Sequence, residues 1–128
     1  MGFLTGTIQA DTTFVDGDFR QVVPRFSPEN LPHNMALVAL VKRSAAQKQA
    51  TPAQIALAWL MAQRPWVVPI PGTTKTPHLL DNIGADAIQF TPSELAALNA
   101  SASAIQIQGA RLPEAVLAFS NVEAPPRD

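Results

Sequence analysis

Four prolines that each follow a serine or threonine divide this chain more firmly than any other feature: Ser27-Pro28, Thr51-Pro52, Thr76-Pro77 and Thr91-Pro92. A hydroxyl at a helix N-cap accepts a hydrogen bond from a free N–H of the first turn. Proline fits the next position, because the N–H it lacks would have had no intrahelical partner. The four pairs therefore predict four helix starts. Two of them, "TPAQ" and "TPSE", place Gln54 and Glu94 at the third helical position, from which a side chain reaches back to the cap N–H and closes a capping box.

From the first start, "SPENLPHNMALVALVKRSAAQKQ" opens irregularly, since Pro32 four residues after Pro28 opposes a continuous helix, and the regular helix is predicted to begin near His33. Leu37, Leu40, Val41, Ser44 and Ala45 then share one face, while Lys42, Arg43, Gln47 and Lys48 turn to water. In "TPAQIALAWLMAQRP" every residue from Ile55 to Ala62 is apolar, which predicts burial on more than one side, with Trp59 as core packing. "WVVPIPG" is β-branched and bounded by proline and glycine, which predicts one short buried strand over residues 66–70 with Trp66 at its edge. "TPSELAALNASASAI" puts Leu95, Leu98, Ala102 and Ile105 on one face of a last helix. The closing "NVEAPPRD" reads as a frayed tail.

Helix, strand, turn and helix in that order form the unit of an α/β fold, yet only one convincing strand is present. A buried five-residue strand without neighbours leaves up to about ten backbone groups unpaired, each costing roughly 1–3 kcal/mol. The total reaches the roughly 5–15 kcal/mol by which a whole domain is stable. Such a strand is expected to pair beyond this chain's own residues, as a piece of a larger domain or with another copy. The strand edge and the apolar helix together predict self-association.

Composition narrows the partners. At 128 residues, 47% apolar and 15% charged, the chain suits one folded domain. Nine Lys and Arg against ten Asp and Glu leave a net charge of −1, so neither nucleic acid nor a membrane surface is an expected partner. With no cysteine there is no disulfide or thiolate ligand. Asp11, Asp16 and Asp18 around Gly17 lack calcium-loop spacing and read as a solvated loop, so no metal site is expected. No apolar run approaches about 18 residues and "MGFLTGTIQA" lacks a signal-peptide pattern, making cytoplasm the expected location.

The stretch "VVPIPGTTKTPHLLDN" carries the chemistry. After Gly72 come Thr73, Thr74, Lys75 and Thr76, so a turn leading into a helix start offers hydroxyls, a cation and free backbone N–H groups together. That combination suits an anion, most often a phosphate.

Taken in order, "GFLTGTI", "FRQVVPRFSPEN", "TPAQIALAWLMAQ", "VVPIPGTTK" and "LLDN" resemble the C-terminal part of an aldo-keto reductase, an NADPH-using (β/α)8 barrel, colinearly from Gly2 to about Pro113. The resemblance implies an α/β fold, the C-terminal third of a TIM barrel over residues 1–113, helix-rich with one clear strand, followed by a poorly ordered tail over residues 114–128. It implies that Gly72, Thr73, Thr74 and Lys75 face the 2′-phosphate of NADP, that Asp81 and Asn82 grip the adenine and fix the cofactor-binding helix, and that Gly2, Phe3 and Leu4 lie over the pyrophosphate. His78 stands where relatives carry Arg or Gln, replacing a forked cation with a smaller ring and leaving NADPH against NADH open. The family's catalytic tyrosine, lysine, aspartate and histidine lie on earlier strands, and this chain has no tyrosine at all. The implied function is the adenosine-end part of a carbonyl oxidoreductase, inactive by itself and binding NADPH weakly or not at all. The alternative is a helical, oligomerising protein without cofactor.

Overall fold

A computed structural model describes residues 2–120. The chain divides into two compact units, one formed by the residues up to Gln9 together with Met35–Gln106, the other by Ala10–Asn34 together with the chain from Ile107 on.

In the first unit lie α1 (Leu31–Lys48, whose first four residues count with the second unit), α2 (Pro52–Gln63), α3 (Thr76–Gly84) and α4 (Pro92–Ser103). Short 3-10 turns at Phe3–Thr5 and Ala85–Ala87 complete it. Val41, Ala45 and Ile55 form the buried core, with Leu4, Ala50, Ile88 and Phe90 packed around them. Helix α2 packs against the turn Phe3–Thr5, against α3 and against the turn Ala85–Ala87, which is why its sequence is apolar on all sides. Its outer edge still meets water at Leu60. Trp59 is half-buried and donates its indole N–H to Asn99 Oδ1 at 2.6 Å, a polar tie from α2 to α4.

Both capping boxes form as predicted. Thr51 accepts from the Gln54 N–H and Gln54 accepts from the Thr51 N–H; Thr91 and Glu94 repeat the arrangement at α4. Glu94 also takes the Lys48 ammonium at 2.7 Å on each oxygen. The Lys48 hydrogen bond first, and the Thr91 N–H second, hold the Glu94 carboxyl at about 2, below its ordinary 4.5.

The second unit contains 3-10 turns at Phe19–Val22 and Pro24–Phe26 and the helix α5 (Glu114–Ser120). Asn34 is buried with every polar atom used: its amide donates to the carbonyls of Arg25 and Gln108, and its oxygen accepts from the Gln108 N–H. Gly109 has φ 82, and a Cβ there would lie 2.7 Å from the Pro24 carbonyl oxygen, so the close approach of these two segments requires glycine. Asp18 caps the turn Phe19–Val22 and pairs with Arg20 through both carboxylate oxygens. It is therefore engaged locally, while Asp11, Asp16 and Gly17 are exposed. The Arg20 guanidinium holds its carboxyl down at about 2.

Three expectations need correction. The α/β architecture with one clear strand does not form: the described residues are helical, and residues 66–70 carry no strand. A strand exists only through ladder hydrogen bonds to a neighbour, and no other described segment supplies one. What survives is the period-two pattern, with Trp66, Val68 and Ile70 at 75%, 78% and 94% exposed and Val67 and Pro69 half-buried. Helix α1 begins at Leu31 rather than near His33, because Pro32 falls in its first turn, where a missing N–H is harmless. Ser27 caps the preceding turn, accepting from Asn30 at 3.2 Å. Finally, α3 begins one residue earlier than its Thr-Pro pair suggests, with Lys75 at the N-cap and Thr76 inside the helix. Of the expected tail, residues 114–120 form α5 and residues 121–128 lie outside the described residues. Among the described residues no helix is long and apolar enough to cross a membrane.

Candidate functional site

The turn after Pro71 reaches α3 through Gly72, Thr73, Thr74 and Lys75, all exposed. Thr73 Oγ1 accepts from the Lys75 N–H at 3.1 Å, so the turn is shaped by its own hydroxyl. At Gly72 an added Cβ would meet no heavy atom within 4 Å; the space there is open, and the fold itself does not demand glycine. Lys75 occupies the N-cap with extended dihedrals (φ −116, ψ 123) and makes no side-chain cap bond. Thr76, Pro77 and His78 form an exposed first turn without an acidic residue. The N-terminal partial charge of α3 and the Lys75 ammonium thus act in the same direction, and both attract an anion.

One turn further, Asp81 and Asn82 are half-buried and committed to the fold. The Asp81 carboxylate accepts from the Thr51 hydroxyl at 3.0 and 3.2 Å, and the Asp81 carbonyl accepts from Gln54 Nε2 at 3.0 Å. The Asn82 carbonyl receives the Ala85 N–H that closes the helix.

Gly2 and Gly6, with φ 72 and 77, bracket the turn Phe3–Thr5. Thr5 locks it by donating through N–H and hydroxyl to the Gly2 carbonyl at 3.2 and 2.6 Å. The Leu4 side chain packs on the core, so that residue serves as the turn's anchor. The structure therefore brings Gly72, Thr73, Thr74, Lys75 and His78 together at one helix start. Asp81 and Asn82 sit behind them, and Gly2, Phe3 and Leu4 are linked to them through α2, against which both α3 and the turn Phe3–Thr5 pack.

Sequence reasoning missed Thr51, Gln54 and Gly84 as parts of this region. "TPAQ" announced a cap, but nothing in it points to Asp81, 30 residues away from Thr51. A groove of about 290 Å³, lined by Leu40, Ser44, Phe90 and Leu98 with Lys48 and Glu94, contains none of the predicted residues. Among the described residues no three His, Asp or Glu side chains gather to hold a metal.

Comparison with known proteins gives a consistent result. The family model described as Aldo/keto reductase family matches residues 1–103. Aldo-keto reductase str7 of Strobilurus tenacellus is 40% identical over 110 residues, covering 86% of this chain and 33% of the relative. Aldo-keto reductase yakc [NADP(+)] of Schizosaccharomyces pombe is 34% identical over 125 residues, 98% of this chain and 37% of the relative. The chain thus spans about a third of the length of these curated relatives.

Proposed function

The chain belongs to the aldo/keto reductase family, and from that membership we propose that residues 72–82 bind the adenosine end of NADPH, with the 2′-phosphate at the start of α3. The observation that carries this reading is the open, uncapped start of α3, where Lys75 stands at the N-cap beside exposed Thr73, Thr74 and His78. The residues fit the group: a phosphate needs charge and N–H or O–H donors with room to approach, and the space around Gly72 is clear. A relative named for NADP(+) adds support.

Lys75 and the first-turn N–H groups neutralise the phosphate, Thr73 and Thr74 add hydroxyls, and Asp81 and Asn82 set the position of α3. His78 offers one ring N–H where a guanidinium would offer a fork, which weakens discrimination for the 2′-phosphate. Bound NADPH supplies a hydride for reduction of an aldehyde or ketone. The chain contains no tyrosine, so the general acid of the family is not among its residues, and a positioned acid is typically worth about a hundred- to ten-thousand-fold in rate. By itself the chain binds cofactor weakly at most and does not turn it over.

Calorimetric titration with 2′,5′-ADP and with 5′-AMP tests the reading. The expected result is tighter binding of 2′,5′-ADP, weakened about tenfold or more by Lys75→Ala, the loss of one charge-assisted contact. Equal affinity for the two nucleotides, or no binding, would overturn it. No binding together with concentration-dependent assembly would instead favour a non-enzymatic oligomerising protein, the reading that the exposed Trp66, Val68 and Ile70 support.

A further inference from the structure

The capping box of α2 has two polar ends to spare, and both are turned on α3. Thr51 Oγ1 accepts from the Gln54 N–H at 3.2 Å, which leaves its own proton free to donate; that proton is directed at the Asp81 carboxylate. Gln54 Oε1 accepts from the Thr51 N–H at 3.0 Å, leaving its NH2 to donate to the Asp81 carbonyl. One residue of α3 is thus held by its side chain and its main chain at once. The box at α4 shows what is particular here: its third-position residue is Glu94, which can only accept, and its carboxylate takes Lys48. A glutamine amide can accept at the cap and donate across to a carbonyl, which an ionised carboxylate cannot. Gly84 completes the arrangement, because a Cβ there would run into Gln54 Nε2 and push it off Asp81.

α3 needs such a hold. It has nine residues, too few to be stable by propensity, and its start has no side-chain cap. Where its first turn lies is therefore decided by tertiary ties, and the Asp81 bonds stand one turn behind His78 and nearly two behind Lys75. We propose that Thr51 and Gln54 are positioning residues of the cofactor site, fixing through Asp81 where α3 presents Lys75 and His78 to a nucleotide 2′-phosphate. This rests on the reading of α3 as the adenosine-end helix.

Two variants of the whole chain separate the clamp from the cap. Thr51→Asp remains a good N-cap but sets a like charge against Asp81. Gln54→Glu still accepts from the cap N–H but loses the donor to the Asp81 carbonyl. Thr51→Ser keeps both functions of the hydroxyl. The readouts are 2′,5′-ADP affinity, its ratio to 5′-AMP affinity, and amide hydrogen exchange in α3 and α4. We expect Thr51→Asp and Gln54→Glu to bind 2′,5′-ADP about tenfold or more weakly. The preference over 5′-AMP falls, exchange speeds up in α3 and stays unchanged in α4, and Thr51→Ser restores wild-type binding. If the wild-type chain binds in a Lys75-dependent way and Thr51→Asp and Gln54→Glu bind as tightly, the positioning role is overturned while the cofactor reading stands. If the wild-type chain does not bind, the cofactor reading falls and the positioning role falls with it.

Discussion

The starts of α2 and α3 look alike as sequence, "TPAQ" and "TPHL", and behave oppositely as structure. At α2 the threonine is the cap, the third helical residue closes the box, and the Thr51 and Gln54 N–H groups are met from within the box itself. At α3 the threonine is inside the helix, a lysine holds the cap position without a side-chain bond, and the first turn stands open. A helix start satisfied by its own side chains has little left for a ligand, whereas an unsatisfied one carrying a cation is prepared for an anion. The closed start also steadies the open one, since Thr51 and Gln54 both reach Asp81.

The largest effect should come from undermining α2, the helix on which α3 packs. Ile55 is 1% exposed in the core with Val41 and Ala45. Ile55→Ala should cost about 2–5 kcal/mol in denaturant unfolding and abolish nucleotide binding as well. A loss of binding without a loss of stability would separate the two starts and contradict a common support.

A gentler change makes α3 resemble α2. Lys75→Asp installs a side-chain cap where none exists, which should raise stability by roughly 0.5–2 kcal/mol while reversing the charge that a phosphate would meet. Thermal unfolding and 2′,5′-ADP titration should then move in opposite directions. If both improve, openness is not what fits α3 for an anion.

How much of this was legible in the sequence follows from the range of each interaction. The boxes at Thr51 and Thr91 were readable because cap, proline and third-position acceptor lie within four residues. The candidate turn from Gly72 to Lys75 was readable for the same reason, as a contiguous run of donors. Residues 66–70 were misread because β-branched composition describes what a segment suits, and only a neighbouring strand makes it one. The start of α3 was misplaced by one residue, within the fraying of any helix end. The Asp81 clamp was invisible, since Thr51, Gln54 and Gly84 meet it only when α2 and α3 pack.

The smallest effect concerns α4, whose box shows what happens when the third residue carries charge. Glu94 is held at about 2 against an ordinary 4.5. A carboxylate with a lowered folded value contributes its stability above 4.5 and loses it as pH falls towards 2. Glu94→Gln keeps an acceptor for the Thr91 N–H but not the charge facing Lys48. Its unfolding midpoint should therefore fall less steeply than the wild type between pH 4.5 and 2, and the two should converge at the acid end. Because the pair is exposed the difference is small, and added salt should shrink it further. Parallel pH curves would place the stabilisation elsewhere.

The chain's two tryptophans sit in opposite surroundings: Trp59 is half-buried with its indole N–H on Asn99, and Trp66 is 75% exposed in the segment between α2 and α3. Their emission is correspondingly unequal in colour and in reach. Trp66 emits at longer wavelength and lies open to a collisional quencher such as iodide, while Trp59 emits further to the blue and is shielded. Anything that settles over residues 66–70 shifts the red component and removes it from the quencher, and leaves the blue one as an internal standard.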